Sequence, residues 1–586
     1  MLFRRDTRKL VETALGNRPA DIVIKDGLLL DVYTGRLLSR RSIAISGQWI
    51  AYVGPDAEHT IGKNTEVIQA RGRVLCPGYM DAHTHVAVYW DIADFLSYVV
   101  PCGVTTIFTE TEAYGFVAGA RGFRAFMDQV RDRPIKIFGL IPPMVCLSPA
   151  MEPLCISPEE TRELLNDPWV MGLGEPFWQG VIQTREDRVP NLIQETLGAG
   201  KSVQGHAAGA FDRKLAAYSA TGVQSCHEAI TTDDVISRLE MGLYAMIREG
   251  DIRRDLEIIL PLKDQIDLRR IILVTDGTNP GDLMTRGYLI DVVQKAMDMG
   301  FSPVEAVQMV TLNPAEHFGL DHLMGGIAPG RLADILILPE PGTVRPELVI
   351  SNGRIIAEHG RTTVEMEKRP YPHHLLKTVR VNPVSPVDLA VSAENGEGAG
   401  QIRIMEIQPG GLVAREERAV PKVVDHRYVA DPERDLLKIV FIERISGRGE
   451  RFIGFIRGWG QKKGAVATTL CWDTGGMVAI GANDHDLASA INRVIELDGG
   501  TVLFVEGAPV VEIPLSVTGF ISRLSIPELA TRLAAFQKEV SSLGSTLPFA
   551  HLGLNVLTTA AIPFIRMNET GYYRFREGDV VTLGPP

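Results

Sequence analysis

A run of apolar residues long enough to cross a bilayer, about 20 in a row, is missing from this chain, and no membrane association is expected. An excess of basic residues is missing too. The sequence sets 60 Lys and Arg against 72 Asp and Glu, a net charge of -12. Nucleic-acid binding generally needs a basic surface, so no such partner is expected. Cysteine is scarce, with six in 586 residues and no Cys-x-x-Cys pair. That spacing offers neither a zinc knuckle nor a disulfide framework and suggests reduced thiols. An apolar leader is also lacking: Met1-Leu2-Phe3-Arg4-Arg5-Asp6 runs into a charged, helix-like stretch, and a cytoplasmic location is expected. No internal repeat and no low-complexity tract is found. What remains is an ordinary globular composition, 45% hydrophobic and 23% charged. Its length is too great for one core and predicts two or three domains.

Against that background one stretch stands out: Pro77-Gly78-Tyr79-Met80-Asp81-Ala82-His83-Thr84-His85. It reads as the end of a buried strand. Side chains on a strand alternate, so histidines at i and i+2 project from one side and can converge on a single divalent cation. Four more residues stand in the same situation. Glu175 ends Val170-Met171-Gly172-Leu173-Gly174, His206 follows Ser202-Val203-Gln204-Gly205, His227 follows Ser225-Cys226, and Asp276 ends Ile271-Ile272-Leu273-Val274-Thr275. Taken singly each has a bland reading, as a cap, a core histidine or a turn residue. Cys226 beside His227 reads as a small core residue, because successive strand residues face opposite ways. Taken together, the order His-x-His, Glu, His, His, Asp at the ends of apolar runs separated by amphipathic helices is what a (β/α)8 barrel requires. Its active site is built at the C-terminal ends of the strands.

These stretches resemble the amidohydrolase superfamily and, within it, the adenine deaminase family. The likeness runs through Pro77 to His85, Gly172-Leu173-Gly174-Glu175, Gly205-His206-Ala207, Cys226-His227-Glu228, Met246-Ile247-Arg248-Glu249-Gly250, Thr275-Asp276 and Thr311-Leu312-Asn313-Pro314-Ala315-Glu316. It continues near the C-terminus in Asp431-Pro432-Glu433-Arg434-Asp435 and Gly458-Trp459-Gly460-Gln461-Lys462-Lys463-Gly464. The expected fold class is α/β: a (β/α)8 barrel over 75–320, with a flanking β-sandwich and an additional C-terminal α+β domain over 382–586. The resemblance implies that two β-rich segments, 1–74 and 321–365, combine into the sandwich. A connector rich in Pro and charge, Glu367-Lys368-Arg369-Pro370-Tyr371-Pro372-His373-His374, leads to the last domain, where a long helix is expected around Ile526 to Leu543.

The ligand set dictates the chemistry. His83 and His85 with Glu175 would hold one metal, and Glu175, His206 and His227 a second, with the Glu175 carboxylate bridging. Nitrogen and oxygen donors suit Zn, Mn or Fe(II), and the resemblance favours two ions of Mn or Fe(II). Such ions lower the pKa of a bound water to roughly 7. Asp276 would take that water's proton and pass it to the leaving nitrogen. The reaction implied is adenine plus water to hypoxanthine plus ammonia, on a small-molecule substrate, by a homo-oligomer. The alternative is hydrolysis of a different cyclic or acyclic amide; a non-catalytic barrel ranks last, because no ligand is lost. Glu228, Tyr89 and Glu110 are the substrate-binding candidates. Several positions depart from the family pattern. Val86-Ala87-Val88-Tyr89 replaces Ile-Glu-Ser-Ser, and Glu110-Thr111-Glu112-Ala113 replaces Asp-Pro-His-Glu. Gly277-Thr278-Asn279-Pro280 replaces Asp-Arg-His-Pro, and Trp472-Asp473-Thr474-Gly475 replaces His-Asp-Ser-His. Tyr89 and Trp90, expected on a barrel-rim helix, would add aromatic surface. Drift in the recognition shell with the metal core intact predicts weaker turnover of adenine than in a dedicated adenine deaminase.

Overall fold

The computed structural model describes residues 3–183, 186–393, 400–562 and 564–584. The N-terminal stretch forms a helix over Thr7–Ala14, capped by the Asp6 side chain on the Lys9 amide; Met1 and Leu2 lie outside the described residues.

Eight parallel strands make the centre. β1 (Tyr79–Thr84), β2 (Val104–Thr109), β3 (Lys136–Ile141), β4 (Val170–Leu173) and β5 (Ser202–Val203) pair in sequence, as do β6 (Ser225–Cys226), β7 (Tyr244–Arg248) and β8 (Ile271–Val274). Backbone hydrogen bonds close both seams. The Gln224 amide donates to the Val203 carbonyl and the Asp276 amide to the His83 carbonyl, each at 3.0 Å. The result is a (β/α)8 barrel. Its interior is solid: Met80, Ala82, Phe108, Phe138, Leu140, Met246, Ile272 and Val274 share one apolar cluster. Phe318 stacks on Phe108 with ring centroids 3.7 Å apart. A filled interior leaves the strand ends as the place for a cavity.

The two outer β-rich segments join by hydrogen bonds into a single nine-stranded sheet, in which Val74–Pro77 lies between Ile22–Asp31 and Ile335–Leu338. Isoleucines from both segments, among them Ile22, Ile43, Ile335 and Ile350, share one core. The sheet is tied to the barrel by Lys136, fully buried, whose ammonium sits 2.7 Å from Asp334 Oδ1. The C-terminal region carries an eight-stranded, mostly antiparallel sheet with the helix Asp484–Glu496 packed on its strands, and the long helix Ile526–Ser542 beyond it.

One local expectation is corrected. Tyr89 is not on a helix: the rim helix spans Ile92–Val99, and Tyr89 precedes it at φ +76°. The Tyr89 amide donates to the Phe520 carbonyl, and its own carbonyl accepts from the Ser522 amide at 2.8 Å. Pairing with another segment won over helix continuation, so the barrel rim is stitched to the C-terminal region.

Candidate active site

All six residues singled out for chemistry meet at the C-terminal mouth of the barrel. Met80 and Ala82 face the barrel interior, so strict alternation would send His83 to the opposite side of β1. The register of β1 on β2 slips between Asp81 and Thr84, which re-aims this end of the strand. His83 Nε2 then lies 3.1 Å from Asp276 Oδ1. His85 Nε2 lies 3.4 Å from the same oxygen and 3.6 Å from Glu175 Oε1. His227 Nε2 is 3.0 Å from Glu175 Oε2 and stacks on His83 with ring centroids 3.9 Å apart. His206 is placed from below: its amide donates to the Tyr218 hydroxyl at 3.0 Å, and that hydroxyl donates to the Pro176 carbonyl at 2.5 Å. The loop after Glu175 and the one bearing His206 are thereby fixed to each other.

Three groupings of donor atoms each lie within 4.8 Å: His83, His85 and Glu175; Glu175, His206 and His227; and His83, His227 and Asp276. Glu175 belongs to two of them. Its Oε2 is buried and finds no hydrogen-bond partner among the described residues even though His227 Nε2 is close. A buried carboxylate oxygen facing imidazole nitrogens without hydrogen-bond geometry is a poor arrangement for the bare protein and a suitable one around divalent cations.

Electrostatics sort the carboxylates. Burial raises the pKa of Asp276, but His83, His85, His227 and Arg248 outweigh it and hold the group well below the usual carboxylate range. Burial also raises Glu228; Arg248 and His206 more than reverse this, and it too is held low. Burial and the neighbouring His83 keep His227 neutral, as a ligand must be. Asp276 adopts φ +59°, a left-handed conformation held by its surroundings.

The substrate-binding candidates fare differently. Tyr89 lines the cavity, and so does Glu228. Glu228 is engaged by Arg248 and lies 3.3 Å from His206 Nε2. Glu110 is corrected: it is fully buried at 3.6 Å from His83 Nδ1, behind the imidazole and away from the cavity. Glu112, two residues on, lines the cavity instead, 3.4 Å from His85 Nδ1. Arg248 was missed as a site residue. It is buried at the end of β7 and joins Glu228, Asp255 at 3.1 Å and Asp276 at 3.3 Å. A charged residue closing an apolar strand in the same series as the ligands was the available signal. Asp251 and Asp473 also line the cavity and were not foreseen. The remaining wall is largely apolar, with Val88, Phe116, Phe177 and Ile252 from the barrel and Trp472, Phe520 and Ile562 from the C-terminal region.

A barrel with imidazoles and carboxylates gathered at the strand ends defines a class, the hydrolases of the amidohydrolase family. The chain matches that family over residues 74–356. More narrowly, it belongs to the adenine deaminases. Residues 412–579 match the adenine deaminase C-terminal domain. An adenine deaminase of Moorella thermoacetica is 36% identical, with 98% of each chain covered. One of Rubrobacter xylanophilus is 34% identical over 96% of this chain and 95% of its own. A crystal structure of an adenine deaminase aligns with 57% of this chain and 99% of its own at 19% identity and a TM-score of 0.45. The protein is thus a hydrolase of C–N bonds that binds divalent metal and acts on a small molecule. No helix among the described residues is long and apolar enough to cross a membrane.

Proposed function

We propose that this protein deaminates adenine, converting adenine and water to hypoxanthine and ammonia. The observation that carries the reading is the gathering of His83, His85, Glu175, His206, His227 and Asp276 into one cluster, all but the buried His83 lining a cavity whose wall is completed by the adenine-deaminase-type C-terminal region. His83, His85 and Glu175 would hold one ion and Glu175, His206 and His227 a second, Mn or Fe(II) in preference to Zn. Such ions supply the Lewis acidity that makes water nucleophilic near neutral pH.

The chain's own residues do the rest. Asp276, kept ionised by the imidazoles and Arg248, accepts the proton of the attacking water and delivers it to the departing nitrogen. Arg248 fixes the Asp276 and Glu228 carboxylates in place through its planar fork. The apolar walls take the faces of a flat heterocycle and keep bulk water from the reacting carbon. The free thiols at all six cysteines agree with a cytoplasmic enzyme, and the resemblance to its family supports a homo-oligomer.

The test is ammonia release from adenine by purified protein, with metal analysis. One to two divalent ions per chain are expected, and chelation should abolish turnover. Asp276→Asn should keep the metal and lose roughly 10²–10⁴-fold in kcat. Full activity after metal removal, or a normal rate in Asp276→Asn, would refute the assignment. Turnover of a cyclic amide far ahead of any purine would replace adenine as the substrate.

A further inference from the structure

The C-terminal region brings one acidic side chain into the cavity that the reaction above does not use. Asp473 sits at φ +60° in the turn following Cys471-Trp472. The turn is pinned on both sides. The Trp472 amide donates to the Asn555 carbonyl at 3.0 Å, and the Thr558 hydroxyl donates to the Trp472 carbonyl at 2.7 Å. The Thr559 hydroxyl donates to Asp473 Oδ2. Among the described residues no hydrogen bond reaches Oδ1, and no Lys or Arg pairs with this carboxyl. Arg248, the one arginine lining the cavity among the described residues, is occupied by Glu228, Asp255 and Asp276. A turn aspartate with a purely structural role would accept from nearby backbone amides; this one accepts from none among the described residues. Burial, reinforced by the Glu112 carboxylate against the Thr559 hydrogen bond, pushes the group up to about 7.

A half-buried carboxyl without a charge partner is costly unless something else satisfies it. The space it faces is the cavity it shares with His85, His206 and Asp276. We infer that Asp473 is a substrate-binding residue, whose free Oδ1 hydrogen bonds a ring nitrogen of the heterocycle on the side turned away from the metal ligands. This rests on the reading of the site as an aminopurine hydrolase. It gives the C-terminal region a part in recognition: the barrel supplies the reacting groups, and the roof reads the ring.

The experiment compares full-length wild type, Asp473→Ala and Asp473→Asn for metal content, thermal midpoint, steady-state kinetics on adenine and calorimetric binding of hypoxanthine. Asn keeps a donor and an acceptor where the carboxyl stood. We expect Asp473→Ala to lose about 10- to 100-fold in kcat/KM, mainly through KM, with weaker hypoxanthine binding and unchanged metal. Asp473→Asn should recover most of that loss. An unchanged KM and unchanged hypoxanthine affinity in Asp473→Ala would overturn the inference. So would equal losses in both variants accompanied by lost metal or a lowered midpoint, which mark a structural role. A wild type that neither releases ammonia from adenine nor binds hypoxanthine is a different failure: it refutes the aminopurine reading and this inference with it.

Discussion

Arg248 holds three carboxylates in a place with almost no solvent, which makes it the residue whose loss the site can least absorb. Replacing it with Met takes the guanidinium from Glu228 and Asp276, leaving them only imidazole neighbours, and leaves Asp255 with Arg253 alone. Breaking a buried pair by removing one partner costs about 3–5 kcal/mol. Arg248→Met should therefore lower the thermal midpoint by several degrees and abolish turnover. Arg248→Lys should be intermediate, since a point charge cannot reproduce the two-pronged contact. Calorimetry of the three proteins checks this; a midpoint unmoved in Arg248→Met would show the cluster to be satisfied some other way. At this scale the sequence was informative about donors and silent about partners. His83, His85, Glu175, His206, His227 and Asp276 each announced themselves by closing an apolar run. Nothing in Met246-Ile247-Arg248 says which carboxylates the guanidinium meets, because Glu228 and Asp276 arrive from the loops after β6 and β8 and Asp255 from the far side of its own loop. Glu110 misled for the same reason. Its place after β2 resembles that of the ligands, but only the packing shows that it lies behind His83 while Glu112 faces the cavity.

Between elements, the close approach of the loops after β7 and β8 depends on Gly250. A Cβ there would lie 2.0 Å from the Thr275 carbonyl oxygen and 2.3 Å from that of Gly277, both backbone atoms that flank Asp276. Neither can yield without moving the Asp276 peptide. Gly250→Ala should cost about 1–3 kcal/mol, as overpacking generally does. It should also reduce kcat more than Asp276-independent properties such as metal content. Parallel measurements of midpoint, bound metal and kcat decide it: a variant with wild-type kcat would mean that the two loops separate without disturbing the base. The barrel's order of elements was legible because long runs such as those of β1 and β7 end in recognisable turns. β5 and β6 are only two residues long, too short for any periodicity, and were located by the histidines that follow them. The register slip in β1 and the left-handed Tyr89 were beyond reach, since both answer to partners distant in sequence.

For the molecule as a whole, the joint between barrel and C-terminal region should register in how stability depends on pH. His551 is buried in that joint, with Nε2 3.1 Å from the Thr501 hydroxyl and Nδ1 3.4 Å from the Tyr89 hydroxyl. Burial lowers its pKa to about 4, against roughly 6.5 for a free histidine. The unfolded chain therefore binds the extra proton over the window from about 6.5 down to 4, and the folded chain does not. Stability from this group is complete above pH 6.5 and is lost as pH falls through the window, at about 1.4 kcal/mol per unit. Other groups pull the opposite way: Asp251 and Asp473, raised to about 7 mainly by burial, gain protons on folding as pH falls. The wild-type curve alone thus mixes the two signs, and the contribution of His551 is isolated by difference. His551→Gln keeps a polar group in the joint but cannot titrate. It should be less stable than wild type at pH 7.5, and the gap should shrink or reverse between pH 6.5 and 4.5. Denaturant unfolding of both metal-loaded proteins across that range measures it. A gap that stays constant with pH would mean that His551 accepts its proton in the folded state as readily as in the unfolded one.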